Sequence, residues 1–291
     1  MMMEIDAAVA ARARTGAALD QDDLHSLDAA DVLSLGMLGD EVRRARVGDA
    51  VSYARVLEVG GAGLPDDERT SGALDAADEV RLTMLPSTLD QALAAVAHIH
   101  QLIGERRRLT GFSLADLVAR GWGPLADVLA ALKGAGLASL VEAPVDLVSP
   151  SEVATAVATG LGPATLSVRR WPADGRVPLL LRTREIVLAN ATVRRFAPLS
   201  REQSVAVPTT GYHDVRMVSL ARIGLPMIPT IEVDWQQYGP KLAQVALMFG
   251  ANHLDRVSPV DDPALGPRRA AVEEVRRNIT AAGFNPSVRV S

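Results

Sequence analysis

Two short stretches of the chain place ionisable side chains two residues apart inside otherwise apolar segments. Glu232 and Asp234 lie in the first stretch, and His253 and Asp255 lie in the second. Side chains two apart on a strand point to the same face, so each pair would present two polar groups to one site. Paired carboxylates can transfer protons or bind a hard cation. We interpret all four as candidate acid–base groups, although the pairs lack the nucleophile that a hydrolytic triad needs.

Further candidates flank these stretches. Thr209, Thr210 and Gly211 precede a predicted helix, whose free N–H groups could hold a carboxylate or phosphate. The alternative is that Thr210 only caps that helix. Trp235 could stack on a ligand or fill the core, and His213 is one more candidate acid–base group.

Composition excludes several classes of function. The 291 residues carry a net charge of −5, which gives no overall attraction to nucleic acid or to an anionic membrane. No run approaches the roughly 20 apolar residues of a spanning helix, and the first residues lack a signal-peptide pattern, so we expect a cytoplasmic protein. The chain has no cysteine, which excludes disulfides and thiolate-bound metals. His98 and His100 would point to different faces of a helix, so we expect no metal site.

The candidate groups must be positioned by alternating strands and helices. The predicted strands are 51–56, 79–85, 109–112, 137–141, 164–168, 192–196, 228–233 and 253–257. The predicted helices after the first strand are 89–103, 125–135, 151–160, 179–188, 212–223, 240–249 and 268–282, and residues 60–75 are predicted as a loop. This repetition favours a partial or complete (β/α) barrel, with an open α/β sheet as the alternative. In a barrel the candidates at strand ends would lie at its mouth.

The domain organisation follows from this pattern. Residues 7–46 read as helical, with Asp22 and Asp28 as candidate caps. We therefore expect a helical amino-terminal extension over residues 1–50 and a barrel domain over residues 51–291.

Several motifs carry a resemblance to a known family. They are PTTGYHDVR at 208–216, IPTIEVDW at 228–235, YGPKLAQ at 238–244, ALMFGAN at 246–252 and, near the amino terminus, LGMLGDEVRR at 35–44. Together they resemble the radical S-adenosylmethionine (SAM) enzymes of the futalosine route to menaquinone and the related deazaflavin (FO) synthase subunits. The resemblance is most specific over about residues 200–291. It implies a radical-SAM-type (β/α) TIM-like barrel.

The departures from the family pattern concern its cofactors. The family holds an iron–sulfur cluster on three cysteines in the loop after the first strand, and residues 57–76 here contain none. The family's glycine-rich turns are also replaced, for example by Thr83-Met84-Leu85-Pro86. We therefore expect no iron–sulfur cluster, and the changed turns weigh against SAM binding.

Three functions are compatible with these observations. The leading hypothesis is a non-catalytic, accessory homologue that pairs with an active radical SAM enzyme of the futalosine pathway as a partner or regulatory subunit. The second is a non-radical enzyme that acts on a futalosine-like or aromatic carboxylate substrate in the barrel mouth. The third is a ligand-sensing protein that binds a small molecule without turnover.

Overall fold

Three helices precede the first strand in the computed structural model, which describes residues 4–60, 68–171, 175–202, 210–261 and 272–288. They are α1 (Ala7–Thr15), α2 (Gln21–Ala29) and α3 (Val32–Val47). Asp6, Asp20 and Asp31 cap them, because each carboxylate accepts a hydrogen bond from a first-turn N–H. The predicted helices are confirmed, but the predicted caps are wrong, since Asp22 and Asp28 lie within α2.

Eight strands then form a closed ring. They are β1 (Ala50–Val59), β2 (Glu79–Leu82), β3 (Arg108–Ser113), β4 (Ser139–Pro144), β5 (Pro163–Val168), β6 (Arg195–Ser200), β7 (Thr230–Asp234) and β8 (His253–Val257). Each pairs in parallel with the next, and β8 pairs in parallel with β1. The barrel is therefore closed. The expectation of a TIM-like (β/α) barrel is confirmed, and the alternative of an open sheet is wrong.

The first strand also takes part in a ninth pairing. Strand β9 (Asn285–Val288) pairs in parallel with Ala50–Tyr53, the first part of β1. The last part of β1, Val56–Val59, pairs with β2. The sequence analysis did not predict β9.

Helices surround the barrel. They are α4 (Glu68–Ala76), α5 (Leu89–Ile103), α6 (Leu114–Arg120), α7 (Leu125–Gly134), α8 (Pro150–Ala158), α9 (Arg176–Ala189), α10 (Gly211–Gly224), α11 (Trp235–Met248) and α12 (Val272–Ala281). Helix α4 lies in the segment predicted as a loop, and α6 was not predicted. Helix α11 is kinked, because Gly239 has φ 75° and Pro240 follows it. Within the described residues, no helix is long and apolar enough to cross a membrane.

Helix α3 packs against the barrel helices α10 and α11 at two glycines. A Cβ atom at Gly36 would lie 2.5 Å from the ring of Phe249, and one at Gly39 would lie 2.7 Å from the Phe249 carbonyl oxygen. Only glycine permits this approach, so the amino-terminal helices form one body with the carboxyl-terminal half of the barrel.

Candidate functional site

A cavity of about 270 Å³ opens at the carboxyl-terminal ends of the strands. This end of a TIM-like barrel is where such proteins bind ligands. One part of its wall is apolar and is formed by Leu82, Met84, Leu85, Phe112 and Val141. The charged part of its wall is formed by Glu58, Arg81, Asp116, Glu142, Arg169, Arg201, Asp234 and Arg256.

Arg81 on β2, which lines the cavity, also organises a buried layer of charge. Its guanidinium donates to both carboxylate oxygens of Asp255 on β8, at 2.8 and 3.1 Å, and to Glu79 at 2.7 Å. Thr110 on β3 donates to the same Glu79 oxygen at 2.7 Å. Burial alone would raise the pKa of Asp255, but Arg81 outweighs it and holds that pKa below its ordinary value. Asp255 is therefore a fixed negative charge.

The pKa of Glu232 on β7 is shifted in the opposite direction from that of Asp255. Burial, together with the charge of Asp255, raises the pKa of Glu232 to about 7. Arg201 approaches it only to 3.5 Å. Glu232 therefore exchanges a proton near neutral pH. On the adjacent strand, His253 Nδ1 and Ser52 Oγ are hydrogen-bonded at 2.7 Å.

At the level of the cavity, Asp234 joins two guanidiniums. Its Oδ2 accepts from Arg201 at 3.1 Å and from Arg256 at 2.9 Å. Its Oδ1 accepts from the backbone N–H of Gln237 at 2.8 Å, which caps α11. Asp234 is therefore locked in place by the helix that it starts.

The same two guanidiniums reach outward to further carboxylates. Arg201 donates to Glu142 on β4 at 3.1 Å, and Arg256 donates to Glu58 on β1 at 2.8 Å. We call the resulting sequence of contacts, Glu142–Arg201–Asp234–Arg256–Glu58, the mouth chain. It ties four strands of the barrel together at the cavity.

Backbone strain also concentrates at the cavity. Among the described residues other than glycine, a positive φ occurs only at Phe112 (58°) and Arg256 (56°), and both line the cavity. The left-handed region is unfavourable for a bulky side chain. Such strain persists where the surrounding structure enforces it, which is typical of functional sites.

The buried layer also contains a possible set of metal ligands. One atom from each of Glu232, His253 and Asp255 lies within 4.8 Å of the others. Arg81 already donates to both oxygens of Asp255. A cation would therefore have to displace or repel that guanidinium, and the arrangement favours the ion pair over a metal.

The structure brings four of the predicted site residues together. Glu232, Asp234, His253 and Asp255 are adjacent across β7 and β8, where Glu232 pairs with His253 and Asp234 with Asp255. Of these, only Asp234 reaches the cavity wall.

The other predicted residues lie elsewhere. Thr210 caps α10 by accepting from the His213 N–H at 3.4 Å, and His213 is exposed in the first turn after Gly211. Trp235 is fully buried and is not part of the cavity wall. Thr209 lies outside the described residues. The ligand-binding role of these residues stays a prediction.

Sequence reasoning missed the residues that dominate the site, namely Arg81, Arg201, Arg256, Glu58 and Glu142. One signal was available, because Glu79 and Arg81 stand two apart in a short apolar strand, as the recognised pairs do. Arg201 and Arg256 carried no such signal, because their partners are distant in sequence.

An iron–sulfur cluster does not fit the donor set of this chain. In the family that the sequence resembles, the cluster lies in the loop that follows the first strand. Here Glu58, next to the end of β1, is paired with Arg256, and the 291 residues contain no cysteine. Thiolates are the ligands that such clusters require, so we derive no reaction step from one.

Comparison with known families and proteins identifies relatives of part of the chain. A family model described as the CofH/MqnC C-terminal region matches residues 194–291. A protein of Methanopyrus kandleri is 32% identical over 102 residues, which are 33% of this chain and 27% of the relative. One of Methanocaldococcus jannaschii is 28% identical over 105 residues, 34% of this chain and 29% of the relative. Both are named 5-amino-6-(D-ribitylamino)uracil–L-tyrosine 4-hydroxyphenyl transferase.

The matched region thus spans less than a third of these relatives' length. It confirms the resemblance inferred from the sequence motifs, since residues 194–291 are similar to the CofH/MqnC C-terminal region.

Solved structures with low sequence identity share the whole fold. Methylornithine synthase (PylB) superposes with a TM-score of 0.67 at 13% identity, over 96% of this chain and 97% of that one. The hydrogenase maturase HydG of Carboxydothermus hydrogenoformans superposes with a TM-score of 0.68 at 12% identity, over 98% of this chain and 79% of that one. At these identities the likeness concerns the fold alone.

Proposed function

We propose that this protein is a cluster-free homologue of the CofH-like enzymes that does not cleave SAM and uses the barrel mouth to bind a small molecule. The observation that carries the proposal is the mouth itself. An open cavity lies there with fixed polar groups and two strained residues, while the chain offers no thiolate to bind iron. In this role it is a pseudoenzyme that senses or holds a ligand.

The ion pairs at the mouth support this proposal. The side chain of Arg201 is 16% exposed and that of Asp234 is 1% exposed, so their charges have been removed from water at a large cost. The stability of the fold alone does not require such ion pairs, since apolar residues of similar volume often stabilise a protein equally well. A binding site that needs fixed hydrogen-bonding groups accounts for their presence.

The experiment is anaerobic reconstitution of the purified protein with iron and sulfide, followed by incubation with SAM and a reductant. We expect no cluster absorbance, no retained iron and no 5′-deoxyadenosine. A cluster-containing relative treated in parallel is the positive control. A cluster spectrum together with 5′-deoxyadenosine from this chain would overturn the proposal.

An accessory role is the second candidate, and an apolar surface favours it. Leu33 and Met37 on α3 are 66% and 75% exposed, and Val245 and Met248 on α11 are 41% and 50% exposed. Gly36 packs on Phe249, and the exposed residues Met37 and Met248 are their neighbours in sequence. We call these four residues the α3–α11 patch. Clustered exposed apolar side chains are typical of interaction sites.

Pairing with an active radical SAM homologue would cover this patch. The futalosine route stays a prediction for the pathway, because the curated relatives are named for a reaction of ribitylaminouracil and tyrosine. Co-expression with an active homologue from the same genome, followed by size-exclusion chromatography, tests the accessory role. Co-elution and a change in the homologue's activity are expected, and separate elution without any effect would contradict it.

A further inference from the structure

Four arginines line the cavity, which at first sight predicts an anionic ligand, but their charges are already matched. Arg81 contacts Glu79 and Asp255, and Arg169 contacts Asp116 at 2.8 Å and Glu202 at 3.5 Å.

The other two arginines belong to the mouth chain. Arg201 contacts Glu142 and Asp234, and Arg256 contacts Glu58 and Asp234. Each of the four guanidiniums therefore meets at least two carboxylates, and no free positive charge faces the cavity from this set.

The mouth chain has an odd number of charged groups. It alternates carboxylate, guanidinium, carboxylate, guanidinium and carboxylate, so that three negative charges meet two positive charges. Both of its ends, Glu142 and Glu58, are carboxylates that line the cavity. Counted over these five groups alone, one negative charge is in excess in a partly buried site, where charge interactions are stronger than in water.

Each end of the mouth chain has one oxygen left over. Glu142 uses Oε2 for Arg201, and Glu58 uses Oε1 for Arg256. Glu142 Oε1 and Glu58 Oε2 accept no hydrogen bond from the described part of the chain. A carboxylate can accept about four hydrogen bonds, so both ends retain capacity for a donor.

The apolar part of the cavity wall suits the body of an organic ligand. Leu82, Met84, Leu85 and Val141 are apolar, and Phe112 is held among them by its left-handed backbone. An aromatic ring also attracts a cation over its face. The wall thus combines an apolar surface with two acceptor ends.

From this arrangement we propose that the mouth cavity binds a small organic cation. Its ammonium or amidinium group lies at one end of the mouth chain, at Glu58 Oε2 or at Glu142 Oε1, and continues the alternation of charge along that chain. Its apolar body packs on the wall around Phe112. This inference rests on the proposed function and specifies its ligand class.

The test is isothermal titration of the full-length protein with three probes that share one apolar body, namely cyclohexylmethylamine, cyclohexylmethanol and cyclohexanecarboxylate. We expect the amine to bind at least tenfold more tightly than the alcohol and the carboxylate. Tighter binding of the carboxylate, equal binding of amine and alcohol, or no binding of the amine would each overturn the inference.

Two conservative variants locate the site. Glu58→Gln and Glu142→Gln keep an oxygen for the neighbouring arginine but remove the negative charge, so the variant at the end that holds the amine should weaken amine binding about tenfold. Glu273→Gln, an exposed residue on α12, is the matched control and should bind like the unmodified protein. Wild-type affinity in both cavity variants would place the amine elsewhere and overturn the inference. If a variant does not fold, the relative affinity of the unmodified protein for the three probes still tests whether the ligand is a cation.

These outcomes are separate from those of the reconstitution experiment. Formation of a cluster would overturn the proposed function whichever probe binds. Preference for the carboxylate in a protein that forms no cluster would overturn only the ligand class.

Discussion

Arg81 and Asp255 form a two-point ion pair inside the barrel, with guanidinium nitrogens 2.8 and 3.1 Å from the two carboxylate oxygens. The pair joins β2 to β8 although β1 lies between these strands in the ring. Both side chains are almost completely buried, at 9% and 4% exposed. The inside of this barrel is therefore held by charge as well as by apolar packing.

Removing one partner of this pair should be costly. Asp255→Asn leaves Arg81 buried with one carboxylate fewer, and breaking a buried ion pair in this way costs about 3–5 kcal/mol. We expect a loss of this order in the free energy of unfolding, measured by urea denaturation. Glu273→Gln on the surface should change it by less than about 0.5 kcal/mol. A similar small change in Asp255→Asn would contradict the structural importance of the pair.

Stability should depend on pH through Glu232. Burial raises its pKa from 4.5 to about 7, so the folded state holds this proton more tightly than the unfolded state. The corresponding stabilisation is complete below pH 4.5 and is lost as the pH rises from there through 7, with a size of about 3 kcal/mol. Glu232→Gln mimics the protonated form. It should therefore be more stable relative to wild type at pH 8 than at pH 5, and an equal difference at both values would contradict the raised pKa.

Two glycine substitutions should have opposite effects. Gly39→Ala would place a Cβ 2.7 Å from the Phe249 carbonyl oxygen and 2.9 Å from Ser219 Oγ. We expect it to destabilise the protein by about 1–3 kcal/mol, as overpacking does. Gly134→Ala, at the end of α7, meets nothing within 4 Å and should stabilise by about 0.5 kcal/mol. The melting temperatures of both variants test how closely α3 packs at Gly39. An unchanged melting temperature in Gly39→Ala would show that the atoms around Gly39 can move to accommodate a Cβ.

Charge on the α3–α11 patch should abolish any association through it. Met37→Glu introduces an unpaired carboxylate on an exposed apolar surface, so the fold should persist while co-elution with a homologue is lost. Leu188→Glu on α9 is the matched control, because Leu188 is 69% exposed on another helix. Loss of co-elution in both variants, or in neither, would contradict the proposal that the homologue binds at the α3–α11 patch.

The sequence predicts the order of strands and helices well because the periodicity of apolar residues is local. Helix α5, for example, has its predicted limits, since Ala92, Val96, Ile99 and Ile103 recur at helical spacing and are buried. Helix α4 was missed because glycine and acidic residues around it are typical of a loop. Strand β9 is only four residues long, which is too short to show a pattern.

The candidate site was predictable only in part. Spacing alone indicated that Glu232 and Asp234 share a face, and both contact Arg201. The ion-pair partners of the arginines could not be predicted from the sequence, because Arg256 and Glu58 are 198 residues apart in the chain. Only closure of the ring brings them together, and a strand pattern does not encode which side chains meet across it.

The shared pairing of β1 has a consequence for how the protein is made. Its first residues pair with β9, and its other edge pairs with β8. During synthesis, β1 leaves the ribosome long before either of these partners exists, so the first part of β1 stays unpaired until residues up to 288 have emerged. Contacts of such long range slow folding. We therefore expect the nascent chain to depend on protection from aggregation while the ring is incomplete.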